Sequence, residues 1–443
     1  MIIFYKTQKL EEIQSFYQGK MGMNLWLDQG SCLIFEKGKV KLGFCRADKA
    51  ETAGTITFLY DSIEEVDAVF QTFAEISTTS PKVNPDYNIY HFWGKDPEGR
   101  SLEFQYFLQP GESPKGMENP IEILNPDATK PKLLLTRLIP QNAIDLLGEV
   151  FEIHANTAPR GLSRKELLAS VSEMDALLCL LSDRIDAELI DRAKKLKVVS
   201  NYAVGYNNID LEAAKEKGIV VCNTPGVLTE STADIAWALV MAAARRIPES
   251  EIFLRQGKFT GWEPMLYLGQ DLHGQTLGIL GMGRIGQAVA RRATGFGMRI
   301  IYHSRTPKEL DFEAELVDFE TLLKESDILS LHSPLTPETD GMIGAKELAM
   351  MKKSAVLINT ARGQIVDEKA MIAALKNREI FSAGLDVYAQ EPYIPDELMQ
   401  LENVVMLPHI GSASFKTRSD MGELAAKNAI AVVRGKEPPA RVV

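Results

Sequence analysis

The chain has few histidines, cysteines and tryptophans, and each scarcity narrows what it can be. Its six histidines and four cysteines do not cluster, and no two cysteines form a C-x-x-C pair. Such spacing offers neither a zinc site nor a disulfide framework. Cys32, Cys45, Cys179 and Cys222 therefore read as small buried hydrophobes, and no metal is expected. No basic block exists: 49 Lys and Arg against 60 Asp and Glu leave a net charge of −11, which argues against a nucleic-acid partner. No apolar run is long enough to span a membrane. The opening Met-Ile-Ile-Phe-Tyr-Lys lacks the basic-then-apolar order of a signal peptide, so a cytoplasmic protein is expected.

What is present is ordinary for a soluble globular chain: 45% hydrophobic and 25% charged residues. A length of 443 residues suggests about two to three domains. Residues 109–131 hold Pro110, Pro114, Pro120, Pro126 and Pro131 without apolar periodicity, which reads as a linker. Before it, a strand-like run at 2–5 and a helix-like stretch at 10–18 recur at 55–60 and 63–74. Strand-like runs follow each copy, at 31–36 and 39–45, then at 89–93 and 101–107. This period predicts a small domain over residues 1–108 built from two similar modules.

After the linker, strands alternate with helices, the pattern of parallel α/β sheets covered on both faces. Strands are predicted at 132–135, 176–181, 198–202 and 219–222, then at 276–280, 298–302, 328–332, 355–359, 383–387 and 404–407. A long apolar helix is predicted at 231–246 and a last one at 417–434. Between the fifth of these strands and a helix-like segment lies Gly281-Met-Gly283-Arg284-Ile285-Gly286. Strand, glycine turn and helix make a dinucleotide fingerprint, with the pyrophosphate received at the helix N-terminus. Such a turn alone is common, and the residues downstream carry more weight. Arg362 ends an apolar strand and offers a planar fork for a carboxylate beside a ketone. His409, in a Pro-His-Ile-Gly setting, can deliver the proton that hydride transfer to a carbonyl requires. Glu391 would pair with it and favour the imidazolium.

Residues 131–443 resemble the D-isomer-specific 2-hydroxyacid dehydrogenase family, most closely its glyoxylate/hydroxypyruvate reductase branch. The motifs carrying the resemblance are Val204-Gly205-Tyr-Asn-Asn-Ile-Asp, Asn223-Thr-Pro-Gly, Ser231-Thr-Ala-Asp and the glycine fingerprint. Asn359-Thr-Ala-Arg-Gly, Gly384-Leu-Asp-Val, Glu391-Pro and Pro408-His-Ile-Gly-Ser-Ala follow in order. The resemblance implies a flavodoxin-like substrate domain over 131–230 and 412–443, and a Rossmann-type domain over 231–411. It implies catalytic Arg362, Glu391 and His409, and a second carboxylate clamp at the amides of Val204 and Gly205. Asp386 would bind the nicotinamide carboxamide, with Thr360 and Ala361 lining the same ring. Formate-oxidising relatives carry Gln at the position of Glu391, since formate oxidation needs no proton relay. Small-acid reductases often carry Trp at the position of Leu266, so the departure admits a sugar acid such as 2-ketogluconate.

Residues 1–107 are similar to the glyoxalase/bleomycin-resistance, or vicinal oxygen chelate, superfamily, through Leu10 to Tyr17 and Asp96-Pro-Glu-Gly-Arg-Ser-Leu-Glu-Phe. That likeness implies an α+β domain of paired βαβββ modules. Metal-binding positions would fall on Ile2 and Thr55, leaving Glu103 as the one clear ligand match, so a metal-free module is expected. The cofactor is expected to be NADPH in preference to NADH. Ser304 stands where an acid normally takes the ribose 2′-hydroxyl, and Arg305 and Thr306 can bind a 2′-phosphate. The expected partners are a small 2-oxo or 2-hydroxy acid and a second copy in a homodimer. The competing reading is a nicotinamide-sensing interaction protein on the same fold; it needs none of Arg362, Glu391 or His409.

Overall fold

Short runs of β-branched and aromatic residues dominate the first hundred positions, and they pair into strands. The computed structural model describes residues 2–37, 40–50, 52, 55–84, 89–108, 120–158 and 160–443. The chain divides into two units, Met1–Asn119 and Pro120–Val443. The first contains β1 (Ile2–Thr7), β2 (Asn24–Asp28), β3 (Cys32–Lys37), β4 (Val40–Arg46), β5 (Thr55–Leu59), β6 (Lys82–Asn84), β7 (Ile89–Lys95) and β8 (Ser101–Phe107). A helical segment follows each leading strand, beginning at Leu10–Gln14 and spanning Ile63–Thr72, the latter capped by Ser62 on Glu65 N–H.

Two four-stranded sheets result, ordered β1-β4-β3-β2 and β5-β8-β7-β6. In each, the leading strand runs parallel to the last and the remaining pairs are antiparallel. Phe35, Phe44, Phe92 and Phe104 are fully buried in one shared core, with Phe92 and Phe104 stacked 4.6 Å apart. Arg100, only 1% exposed, is tolerated there because Asp96 (2.8 Å) and Glu98 compensate its charge.

One sequence expectation fails in this unit. Cys32 and Cys45 are joined as a disulfide across 13 positions. They stand directly opposite one another in the β3·β4 ladder, a register that residue spacing alone does not reveal. Cys179 and Cys222 are buried free thiols, as expected.

The second unit holds two parallel sheets. The first comprises β9 (Ile121–Ile123), β10 (Lys132–Leu135), β11 (Glu152–Asn156), β12 (Ala176–Cys179), β13 (Val198–Asn201) and β14 (Val220–Cys222). Its order, β14-β13-β12-β10-β11-β9, is the flavodoxin-like arrangement with β9 added antiparallel at one edge. This corrects the linker expected at 109–131. Residues 109–119 lie outside the described residues, while Ile121–Ile123 pairs with Glu152–Asn156 as sheet.

The second sheet comprises β15 (Thr276–Leu280), β16 (Arg299–His303), β17 (Glu315–Leu316), β18 (Ile328–Leu331), β19 (Val356–Asn359), β20 (Ser382–Leu385) and β21 (Val404–Met406). Its order, β17-β16-β15-β18-β19-β20-β21, reverses direction between β15 and β18. That reversal opens a crevice at the carboxyl ends of the strands, where α/β sheets bind ligands. The helix Thr229–Ala244 is polar over its first turn and uniformly apolar from Ile235 on, and it packs into the core of this sheet through Ala233, Trp237 and Val240. The last helix, Phe415–Val433, returns to the earlier sheet and packs Met421, Ala425 and Ala429 beside Leu133 and Ala143. No helix among the described residues is long and apolar enough to cross a membrane.

Candidate active site

The glycine fingerprint lies at the topological switch. Gly281 follows β15 with φ 95°, and a Cβ there would come within 2.7 Å of Ser333 N. Its N–H donates to His303 O at 3.0 Å, which ties the turn to the end of β16. Gly283 opens the helix Arg284–Ala293, and nothing lies within 4 Å of where its side chain would be. A Cβ on Gly286 would overlap the Gly281 carbonyl, so the helix can seat close to the turn only with glycine there. Arg284 and Ile285 form the first helical turn and carry backbone N–H groups at its positive end. Beyond β16, Ser304 Oγ donates to Thr306 O (2.6 Å) and Arg305 is exposed, with no ion pair among the described residues.

At the end of β19, Asn359 shapes a tight turn. Its Oδ1 accepts from Ala361 N–H (3.0 Å) and its Nδ2 donates to Arg362 O (2.8 Å). Thr360 Oγ1 is buried there without a hydrogen-bond partner among the described residues. A buried hydroxyl with nothing to bond is costly unless a ligand completes it. Arg362 Nη1 donates to Ala361 O (2.7 Å), and a Cβ on Gly205 would collide with the Arg362 guanidinium. Only glycine permits the fork to approach this loop of the other sheet. Burial lowers the guanidinium's proton affinity and the charge of Glu391 raises it, for a net decrease.

Glu391 Oε2 lies 2.7 Å from His409 Nδ1. Burial pulls the Glu391 carboxyl up, but His409, the Tyr388 N–H and Arg362 outweigh it and hold it below the usual range. The side chains of Glu391 and His409 are 36% and 35% exposed, so the pair is open to solvent, with Nδ1 engaged and Nε2 without a hydrogen bond among the described residues. His409 adopts φ 54°, a left-handed conformation costing roughly 1–3 kcal/mol. Asp386, 1% exposed, sits beneath it and accepts from Ile410 N–H and Gly411 N–H, both at 2.7 Å. Burial raises the Asp386 carboxyl, partly offset by those two amides. Asp386 thus holds the turn that carries His409, and each oxygen keeps a second lone pair for another donor.

The fold brings Gly205 to Arg362, Glu391 to His409, and Asp386 to the amides after His409. Ser304, Arg305 and Thr306 stand apart, beyond the strand next to the fingerprint strand. Sequence reasoning missed Asn201, Asn223 and Asn359, whose side chains shape the two loops of the site. For Asn359 the signal was there, an amide at a strand end beside Arg362.

A parallel sheet of this order, with a glycine turn at its switch point and an Arg, Glu and His gathered at its strand ends, defines a nicotinamide-dependent dehydrogenase. Residues 237–411 match the NAD-binding domain of D-isomer specific 2-hydroxyacid dehydrogenases. A glyoxylate reductase of Thermococcus litoralis is 55% identical over 317 residues, covering 70% of this chain and 96% of the relative. A solved structure from Thermus thermophilus is 50% identical, with TM-score 0.67, over 70% of this chain and all of that one (100%). An NADPH-dependent glyoxylate/hydroxypyruvate reductase of Sinorhizobium meliloti, solved with NADP and malonate, is 35% identical with TM-score 0.65, covering 71% and 97%. The chain belongs to the D-isomer-specific 2-hydroxyacid dehydrogenase family.

Proposed function

We propose that this protein reduces a short 2-oxo acid, glyoxylate, hydroxypyruvate or a similar one, to the 2-hydroxy acid, of D configuration where the product is chiral. The observation that carries the reading is the pairing of Glu391 with His409 in the same cleft that brings Arg362 against Gly205. When bound, the reduced nicotinamide supplies the hydride. Thr360, Ala361 and Asp386 are the residues to hold its ring, and the unpartnered Thr360 hydroxyl fits that task. Arg362 binds the carboxylate and polarises the neighbouring carbonyl, assisted by the amides of Val204 and Gly205. His409 donates its Nε2 proton to the forming alkoxide, while Glu391 fixes the ring through Nδ1 and stabilises its charge. In the oxidative direction the neutral imidazole accepts that proton. A panel of 2-oxo acids assayed by nicotinamide absorbance tests the reading: the short acids should be turned over best. A strong preference for 2-ketogluconate would shift the substrate to a sugar acid.

NADPH is the proposed cofactor, because Ser304, Arg305 and Thr306 offer a cation and two hydroxyls and no carboxylate that would repel a 2′-phosphate. We expect kcat/KM to favour NADPH over NADH. A tenfold preference for NADH, or about 1.4 kcal/mol the other way, would overturn this assignment.

The proposed oligomer is a homodimer. Between Ile247 and Leu268 the unit exposes Ile252, Leu254, Phe259, Trp262 and Met265, with Trp262 83% and Met265 74% exposed. So many large apolar side chains on one segment favour burial against a second copy. Sedimentation at micromolar concentration should return a dimer, and a monomer would count against this face. A cytoplasmic setting is part of the same proposal; it suits the buried thiols of Cys179 and Cys222, and Cys32 and Cys45 would stand reduced there.

For residues 1–107 we infer a glyoxalase-like module without metal chemistry. Glu103 Oε1 is taken by His91 Nδ1 (2.7 Å) and Oε2 accepts from Thr57 Oγ1 (3.1 Å). The residues assigned to the reaction fall between Val204 and His409, in the unit that begins at Pro120. A chain starting at Pro120 should therefore keep reductase activity within severalfold of full length, and the full chain should carry no stoichiometric divalent ion. Starting at Pro131 instead would strip β9 and uncover β11. Loss of activity in a folded 120–443 protein, or a tightly held metal, would assign the first unit a part in the chemistry.

A further inference from the structure

Three successive carbonyls in the loop after β13 are held by named donors. Ala203 O accepts from Thr224 N–H (2.8 Å), Val204 O from Asn223 Nδ2 (2.8 Å) and Gly205 O from Asn201 Nδ2 (2.7 Å). In a planar trans peptide the N–H points away from the C=O of the same unit. Fixing these three carbonyls therefore fixes the N–H groups of Val204, Gly205 and Tyr206, each turned away from its carbonyl's partner. None of the three amides donates a hydrogen bond among the described residues. Consecutive free amides of this kind form a concavity for an anion.

Both asparagines are built in. Asn201 ends β13, is fully buried, and also reaches Asn208 Oδ1 at 3.4 Å. Asn223 follows β14, is 8% exposed, and its own carbonyl accepts from Asn428 Nδ2 (2.9 Å) on the C-terminal helix. The loop that follows Asn201 carries Gly205, against which Arg362 packs its guanidinium.

We propose that Asn201 and Asn223 are positioning residues for the 2-oxo acid's carboxylate: their side-chain amides aim the N–H groups of Gly205 and Tyr206, making Tyr206 N–H a further donor. The proposal rests on the reductase reading. A carboxylate presents about four lone-pair sites, which three amides and one Arg362 N–H can fill, leaving the guanidinium's next donor for the adjacent carbonyl. Aspartate in either place keeps the shape but, ionised, cannot donate, so the carbonyl above it is released and the amide loses its aim.

The test measures Asn201→Asp and Asn223→Asp for glyoxylate kinetics, inhibition by oxalate as a non-reducible carboxylate, and NADPH binding by fluorescence. We expect KM for glyoxylate and Ki for oxalate to rise together, by about 10- to 100-fold, with the NADPH dissociation constant within about twofold of the unsubstituted protein. A merely structural role would not separate carboxylate binding from NADPH binding. Should an aspartate variant not fold, Asn201→Ser and Asn223→Ser, too short to span to the carbonyl, are read the same way with the same expectation. Folded variants with unchanged KM and Ki overturn the proposal while leaving the reductase reading intact. An unsubstituted protein that reduces no 2-oxo acid and binds no oxalate removes both.

Discussion

Replacing His409 with alanine is expected to lower kcat for glyoxylate reduction by about 10²–10⁴-fold, with NADPH binding preserved. The size follows from the chemistry. Hydride arriving at C2 leaves an alkoxide, and without a positioned donor that charge must be neutralised by water. His409 is the histidine whose ring pairs with a carboxylate at the mouth of the cleft, 2.7 Å from Glu391. His332, by contrast, is half-buried, bonds Ser330 Oγ at 2.8 Å, and desolvation lowers its pKa to about 3, so it stays neutral. Glu391→Gln should act in the same direction and more weakly, because the hydrogen bond to Nδ1 survives while the charge is lost. Near-unchanged turnover in His409→Ala would remove this residue from the mechanism.

The second large effect is expected at Arg362. Arg362→Ala should lower kcat/KM for the 2-oxo acid by about 10²–10³-fold, since one partner of a buried charge pair is lost. Arg362→Lys should recover little, because an ammonium keeps the charge but not the fork. NADPH affinity should change far less, as the fingerprint amides and Arg305 follow other strands, β15 and β16, while Arg362 follows β19. Equal losses of NADPH and substrate binding would mean that Arg362 supports the fold of the cleft, and its approach to Gly205 would then be incidental.

The parts of this site that were legible in the sequence are those fixed by short-range geometry. A glycine at φ 95° within a strand–turn–helix, or an arginine three residues past a buried strand, leaves a local mark. Thr276–Leu280 and Ser101–Phe107 were delimited to the residue because apolar patterning and turn residues agree there. Strands β2, β6, β9, β11 and β17 were not legible; Glu152–Asn156 is buried on both faces and mixes Glu and His with apolar residues, and Glu315–Leu316 is only two residues long. Asn24–Asp28 is mostly exposed without a clear alternation, and Lys82–Asn84 and Ile121–Ile123 are too short to show a period. The same limit hid the Cys32–Cys45 pair, which depends on register, and Asn223, whose reach to Val204 depends on how β13 and β14 align. Asp386 was expected to meet the nicotinamide carboxamide, and its bonds to Ile410 and Gly411 show it holding a turn. A burial pattern can announce a buried acid but not its partners.

The stereochemistry of the product tests the central claim most directly. Hydroxypyruvate reduced by the full chain with NADPH, the glycerate then resolved by enantiomer, should give D-glycerate in a one-to-one ratio with NADPH oxidised. L-glycerate, or no NADPH oxidation with hydroxypyruvate or glyoxylate, would contradict the account.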